Sequence, residues 1–152
     1  MTTSRTAGIG GCVRDHRGAF VACFSKVCTQ TCSVLAAELT AIRDGLIFAS
    51  RFGYEPCEIE SDSKTAVTIL NGNNTLNLEE GFIVDDIRRL NACSNFSFSF
   101  IKRKGNYVVH ALATVGFNWI SCFIMLHAVL SDIIGKTRSL EIFKYSCTTS
   151  NK

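Results

Sequence analysis

A chain of 152 residues, 47% hydrophobic and 19% charged, is long enough for one core and too apolar to stay disordered. The single proline, and the lack of any repeat or low-complexity stretch, argue against a second unit on a linker. Sixteen Lys and Arg against thirteen Asp and Glu leave a formal net charge of +3, which permits a polyanionic partner without demanding one.

The opening residues, MTTSRTAGIGG, lack the apolar core of a secretory signal. Eight cysteines stand at 12, 23, 28, 32, 57, 93, 122 and 147 with no C-x-x-C, and Cys28 and Cys32 have no second pair at zinc-finger spacing. Cys12 and Cys23 fall in apolar runs, where a free thiol packs as a small hydrophobe. The expectation is reduced thiols in a cytoplasmic or nuclear protein.

In chain order, residues 7–15 and 19–27 read as strands joined by Asp15-His16-Arg17-Gly18, a hairpin turn in which Gly18 takes positive φ. Residues 34–50 read as a helix. Leu35, Leu39, Ile42, Leu46 and Ala49 form its apolar stripe, with Ser33 as N-cap and Gly53 at the end. Residues 57–61 predict a short strand and 63–70 a helix that stops at Asn71-Gly72. Residues 78–91 predict a helix with Phe82, Ile83, Ile87 and Leu90 inward, and 96–101, FSFSFI, a strand with a period of two. A helix over 106–116 follows the basic turn Lys102-Arg103-Lys104-Gly105.

The run from Phe117 reads as a terminal helix packed on the core to about residue 135. The competing reading, a transmembrane helix, needs about 20 mostly apolar residues, and Asn118, His127 and Asp132 interrupt the run. Residues 137–152 read as a polar, loosely held end. The whole is α/β or α+β with a mixed sheet.

Two carboxylates stand out chemically. Glu38 lies inside the helical run VLAAELTAIRDGL and Asp62 closes the strand run CEIESDS. A helix carboxylate beside a strand-end carboxylate is half of a divalent-metal site for phosphodiester chemistry. Each also has a plain reading. Glu38 fits a half-solvated helix position, and Asp62, between Ser61 and Ser63, fits a helix cap.

Four segments in series resemble the ribonuclease H-like domain, of the plant reverse-transcriptase-like type found alone or with retroelement remnants. AGIGGCVRDHRGAFVACFS is similar to that family's second and third strands, and SVLAAELTAIRDGLIFA to its first helix. IESDSKTAVTILNG is similar to its fourth strand and next helix, and FIKRKGNYVVHALATVGF to its last strand and helix. The resemblance implies a domain over 7–116 and an extension over 117–152. The implied fold is a five-stranded mixed sheet with helices on both faces.

The implied activity is endonucleolytic hydrolysis of the RNA strand of an RNA–DNA hybrid. Two Mg²⁺ ions, about 4 Å apart, are held by four carboxylates. Carried over residue by residue, Glu38 and Asp62 are the matched metal ligands. His110 stands where the fourth acid lies and is assigned a catalytic role, with a histidine of no chemical use as the equal alternative. Lys102, Arg103, Lys104 and Asn106 are assigned to the nucleic-acid backbone, of a hybrid or of RNA. No membrane partner is implied.

The family's first carboxylate lies on a first strand ending in Asp-Gly, and only MTTSRT precedes the residues that match its second strand. The resemblance therefore implies an N-terminally truncated sheet without its middle strand, weak or absent Mg²⁺, and a domain that binds nucleic acid with a depleted catalytic set. The alternative is a vestigial, non-catalytic binding module. The unfilled middle leaves three outcomes: the hairpin shifts onto CEIES, the apolar tail from Phe117 helps cover the gap, or the chain is a truncated product that folds poorly.

Overall fold

The computed structural model describes residues 6–18, 20–29, 33–73, 76–102 and 137–146. The elements are β1 (Thr6–Asp15), β2 (Phe20–Thr29), α1 (Val34–Arg51), β3 (Glu58–Ser61), α2 (Lys64–Leu70), α3 (Leu78–Ala92), β4 (Ser97–Phe100) and β5 (Thr137–Ser146).

The local chemistry behaves as its residue types demand. Gly18 takes φ 78° in the β1–β2 turn. Its N–H donates to the Asp15 carbonyl at 2.9 Å, and the Arg17 N–H donates to Asp15 Oδ1 at 2.8 Å. Ser33 caps α1 by accepting from the Ala36 N–H at 2.9 Å, and Gly53, at φ 71°, lies just beyond the other end. Leu39, Ile42, Leu46 and Ala49 of the predicted stripe are fully buried.

The five strands run in the order β2-β1-β5-β3-β4. β1 is antiparallel to β2 and to β5, while β3 is parallel to both β4 and β5. Ile9, Val13, Ala22, Phe24 and Ile59 share one core cluster with Leu39, Ile42 and Leu46 of α1, which places that helix against one sheet face. Val84 and Ile87 of α3 and Ala66 and Ile69 of α2 complete the cluster. Cys12 and Cys23 are buried cross-strand neighbours, packed as expected of free thiols.

Two expectations are corrected. Residues 137–146 are not a loose end: they form β5, the middle strand of the sheet. The middle position is therefore filled. Ala7 to Asp15 register against Ser146 to Thr137 on one side, and Glu58 to Ser61 register against Ser139 to Ile142 on the other. The physical reason is that β1 and β3, set side by side over a buried helix, need backbone partners on their inner edges. None of the three outcomes considered above is this one: the apolar run from Phe117 lies outside the described residues, and the strand in the gap comes from the stretch read as a loose end.

The second correction concerns α3. Phe82 is 62% exposed, whereas Val84 and Ile87 are buried and Ile83 and Leu90 partly so. At about 100° per residue, Phe82 stands roughly 140° round the helix from Ile87.

The predicted helices over 106–116 and 117–135 lie outside the described residues. Among the described residues no helix is long and apolar enough to cross a membrane.

A proline at Ile142 removes an N–H from the middle strand and leaves a buried acceptor unpaired, at about 1–3 kcal/mol for that group alone. The thermal midpoint of Ile142→Pro, followed by circular dichroism, falls by roughly 2–4 °C for each kcal/mol lost. An unchanged midpoint would remove β5 from the sheet.

Burial, and then the Glu55 carboxylate, push the Cys57 thiol from 9.0 up to about 12. The folded chain therefore keeps this proton to higher pH than the unfolded chain. The associated stability is whole below pH 9.0 and is lost as pH rises towards about 12. Cys57→Ala flattens the alkaline fall in unfolding free energy, measured by urea denaturation, by up to roughly 1.4 kcal/mol per pH unit. Equal slopes in the two proteins would show that Cys57 does not carry it.

Candidate nucleic-acid site

β3, β4 and β5 run parallel, so their C-terminal ends share one rim of the sheet. Asp62 follows the last residue of β3, and Lys102 lies two residues beyond the end of β4. The Ile101 N–H donates to the Ser61 carbonyl at 3.0 Å, carrying the β3–β4 pairing one step past the strands. That bond holds the chain entering Lys102 beside the chain entering Asp62.

Asp62 is not the helix cap. Ser63 caps α2 by accepting from the Ala66 N–H at 3.3 Å, and the Ser63 N–H donates to Ser61 Oγ at 3.1 Å. With the cap supplied by its neighbour, the half-buried Asp62 carboxylate lines a cavity.

Glu38 reaches the same cavity from α1. The cavity measures 470 Å³ and is lined by Glu38, Asp62, Ser63, Lys64, Thr65, Phe100 and Lys102. The two carboxylates singled out in the sequence are thus brought together, and Lys102 joins them. His110, Arg103, Lys104 and Asn106 lie outside the described residues. The sequence reading passed over Lys64, Thr65 and Phe100. The available signal was their position, since Lys64 and Thr65 open the helix that starts after Asp62, and Phe100 ends the strand paired with β3.

α1 is held at its start by a second contact. Ser33 Oγ donates to Glu80 Oε1 at 2.6 Å, tying the helix that carries Glu38 to α3. Glu80 is 4% exposed, and its Oε2 is buried without a hydrogen bond. Lys26 Nζ donates to Asp44 Oδ2 at 2.9 Å, linking the same helix to β2.

β5 brings no acid to the level of Asp62. Its one carboxylate, Glu141, is registered against Glu60 and Cys12, and the residues after it are Ile142, Phe143, Lys144, Tyr145 and Ser146. Among the described residues no group of three or more His, Cys, Asp or Glu is arranged to hold a metal ion. Glu38 and Asp62 are hard oxygen donors of the right class for Mg²⁺. The described donor set nonetheless falls short of a two-ion centre.

The mixed sheet in this order, with its helices, has the ribonuclease H-like fold. In the same fold is ribonuclease H1 from the halophilic archaeon Halobacterium salinarum NRC-1, with a TM-score of 0.67 over 78% of this chain and 90% of that one at 22% identity. The chain belongs to the reverse transcriptase-like family, whose pattern matches residues 1–116. No curated protein matches it. β5 lies beyond the span that the family pattern covers.

Ser33→Ala removes the α1 cap, which costs about 0.5–2 kcal/mol. It also leaves the buried Glu80 carboxylate without its donor, which costs about 1–3 kcal/mol more. Ser63→Ala removes a cap alone. Chemical denaturation therefore ranks Ser33→Ala as the more destabilised of the two, and the reverse order would show that the Ser33–Glu80 contact does not support α1.

Proposed function

We propose that this chain is a nucleic-acid-binding domain of ribonuclease H type that takes an RNA–DNA hybrid at the rim between α1 and β3. The observation that carries this reading is the convergence of Glu38, Asp62 and Lys102 on one cavity in a chain of the reverse transcriptase-like family. In sequence, Lys102 is followed by Arg103, Lys104 and, after Gly105, Asn106. A run of cations at a strand end suits contacts with the phosphate backbone, which position a duplex without reading its sequence.

Hydrolysis is not part of this reading. The two matched carboxylates are half of the family's set, and β5 contributes none at their level. When bound, the family's magnesium ions supply an acidified water and a stabilised leaving oxygen. Because the described residues do not fit that pair of ions, no hydrolytic step is routed through it. What Glu38 and Asp62 do in this reading is shape and charge the cavity floor. His110 lies outside the described residues, and its role in orienting water or moving a proton belongs to the enzyme reading alone. The free thiols at Cys12, Cys23, Cys28, Cys57 and Cys93 support a reducing compartment, the cytoplasm or the nucleus.

The test incubates the purified chain with a labelled RNA–DNA hybrid and Mg²⁺, beside Asp62→Asn. The expected outcome is a salt-sensitive complex and no cleavage above that control. Cleavage by the unsubstituted chain that disappears in Asp62→Asn would restore the enzyme reading.

A further inference from the structure

The rim cavity holds equal numbers of opposite charges. Glu38 and Asp62 line it together with Lys64 and Lys102, and Ser63, Thr65 and the half-exposed Phe100 complete the lining. Glu38 and Asp62 are half-buried, while Lys64 and Lys102 are exposed. Among the described residues neither lysine takes part in an ion pair or a side-chain hydrogen bond. Ion pairs there include those of Lys26, Arg43, Arg88 and Arg89.

Two ammonium groups beside two carboxylates change what the cavity can hold. A divalent cation is drawn by the carboxylates and repelled by the lysines at close range. A phosphodiester meets the opposite balance, and an ammonium is a compact donor well suited to a phosphate oxygen. The apolar ring of Phe100 offers a face against which a ribose or base can lie.

We infer that Lys64 and Lys102 form a phosphodiester-binding pair that seats a nucleic-acid backbone in this cavity without a divalent ion. The lysines supply the positive charge that bound metal supplies in a two-ion centre. The inference rests on the nucleic-acid reading of the site given above and assigns Lys64 a role that the sequence did not suggest. It also sets a sign. Without metal, the carboxylates repel the phosphate, so removing one carboxylate charge tightens binding.

The experiment measures fluorescence anisotropy of a labelled RNA–DNA hybrid with the full chain, once in EDTA and once in Mg²⁺, over a range of salt. The expected result is binding of similar strength in both. The double variant Lys64→Gln/Lys102→Gln binds at least roughly tenfold more weakly, and its salt slope is smaller by about 1.8 for two lost phosphate contacts. Asp62→Asn in EDTA binds more tightly than the unsubstituted chain. Thermal midpoints measured alongside separate lost binding from lost folding, and both lysines are exposed.

Binding that requires Mg²⁺, or that Asp62→Asn weakens in EDTA, would overturn the lysine pair and leave the nucleic-acid reading standing. A salt slope unchanged in the double variant would do the same. No binding in either buffer would overturn the nucleic-acid reading itself.

Discussion

The structure depends on the pairing of β5 between β1 and β3. Those two strands form ladders with β2 and β4 on their outer sides, and only β5 serves their inner edges. Unpaired backbone donors and acceptors at the middle of a sheet, under a helix, are among the costlier defects a fold can carry. β5 satisfies both edges at once because it runs antiparallel to β1 and parallel to β3. The contact joins residues 6–15 to residues 137–146, so the sheet closes only when the ends of the chain meet. A pairing this distant in sequence is slow to form, which makes completion of the sheet the late event in folding.

The site inherits its geometry from that closure. α1 lies against β1 and β5, and its seat on them sets where Glu38 stands relative to the end of β3. The shared direction of β3, β4 and β5 then places Asp62 and Lys102 at one rim, as ligand sites of open α/β sheets gather at the carboxyl ends of parallel strands. Capping by Ser63 rather than Asp62 leaves the Asp62 carboxylate to face the cavity. Each of these steps is local and ordinary. Their combination into a site requires the middle strand.

The hairpin, the three helices and the short strands were legible because each carries its own periodicity or cap. Gly18 and Gly53 marked ends by their need for positive φ, and the stripe from Leu39 to Ala49 marked the buried face of α1. Phe82 misled because an aromatic at a plausible helical step was weighed by hydrophobicity, when the angle to Ile87 decides burial. β5 was hidden for a different reason. TRSLEIFKYS mixes polar and apolar residues and follows a long apolar run, and its strand character comes from partners in β1 and β3 that lie far away in sequence. Glu38 and Asp62 were legible as a pair chiefly through family resemblance. Lys64 was not, since a lysine in the first turn of a helix ordinarily reads as a solvated position.

The occupant of the middle slot also determines the charge of the rim. The family pattern ends at residue 116, yet the strand that completes the sheet begins at Thr137. The slot asks of its occupant backbone donors and acceptors, together with side chains that suit the core face. Leu140 and Ile142 register against Ile59 and Ser61 and meet the backbone part of that demand. Nothing in the backbone demand asks for an acid at the level of Asp62, and β5 offers Phe143, Lys144 and Tyr145 over the residues that follow Ile142. The sheet is therefore complete while, among the described residues, the carboxylates lining the rim cavity are Glu38 and Asp62. In the reading proposed above, Lys64 and Lys102 set two cations beside those carboxylates on the same cavity, a balance that suits a phosphate better than a metal ion.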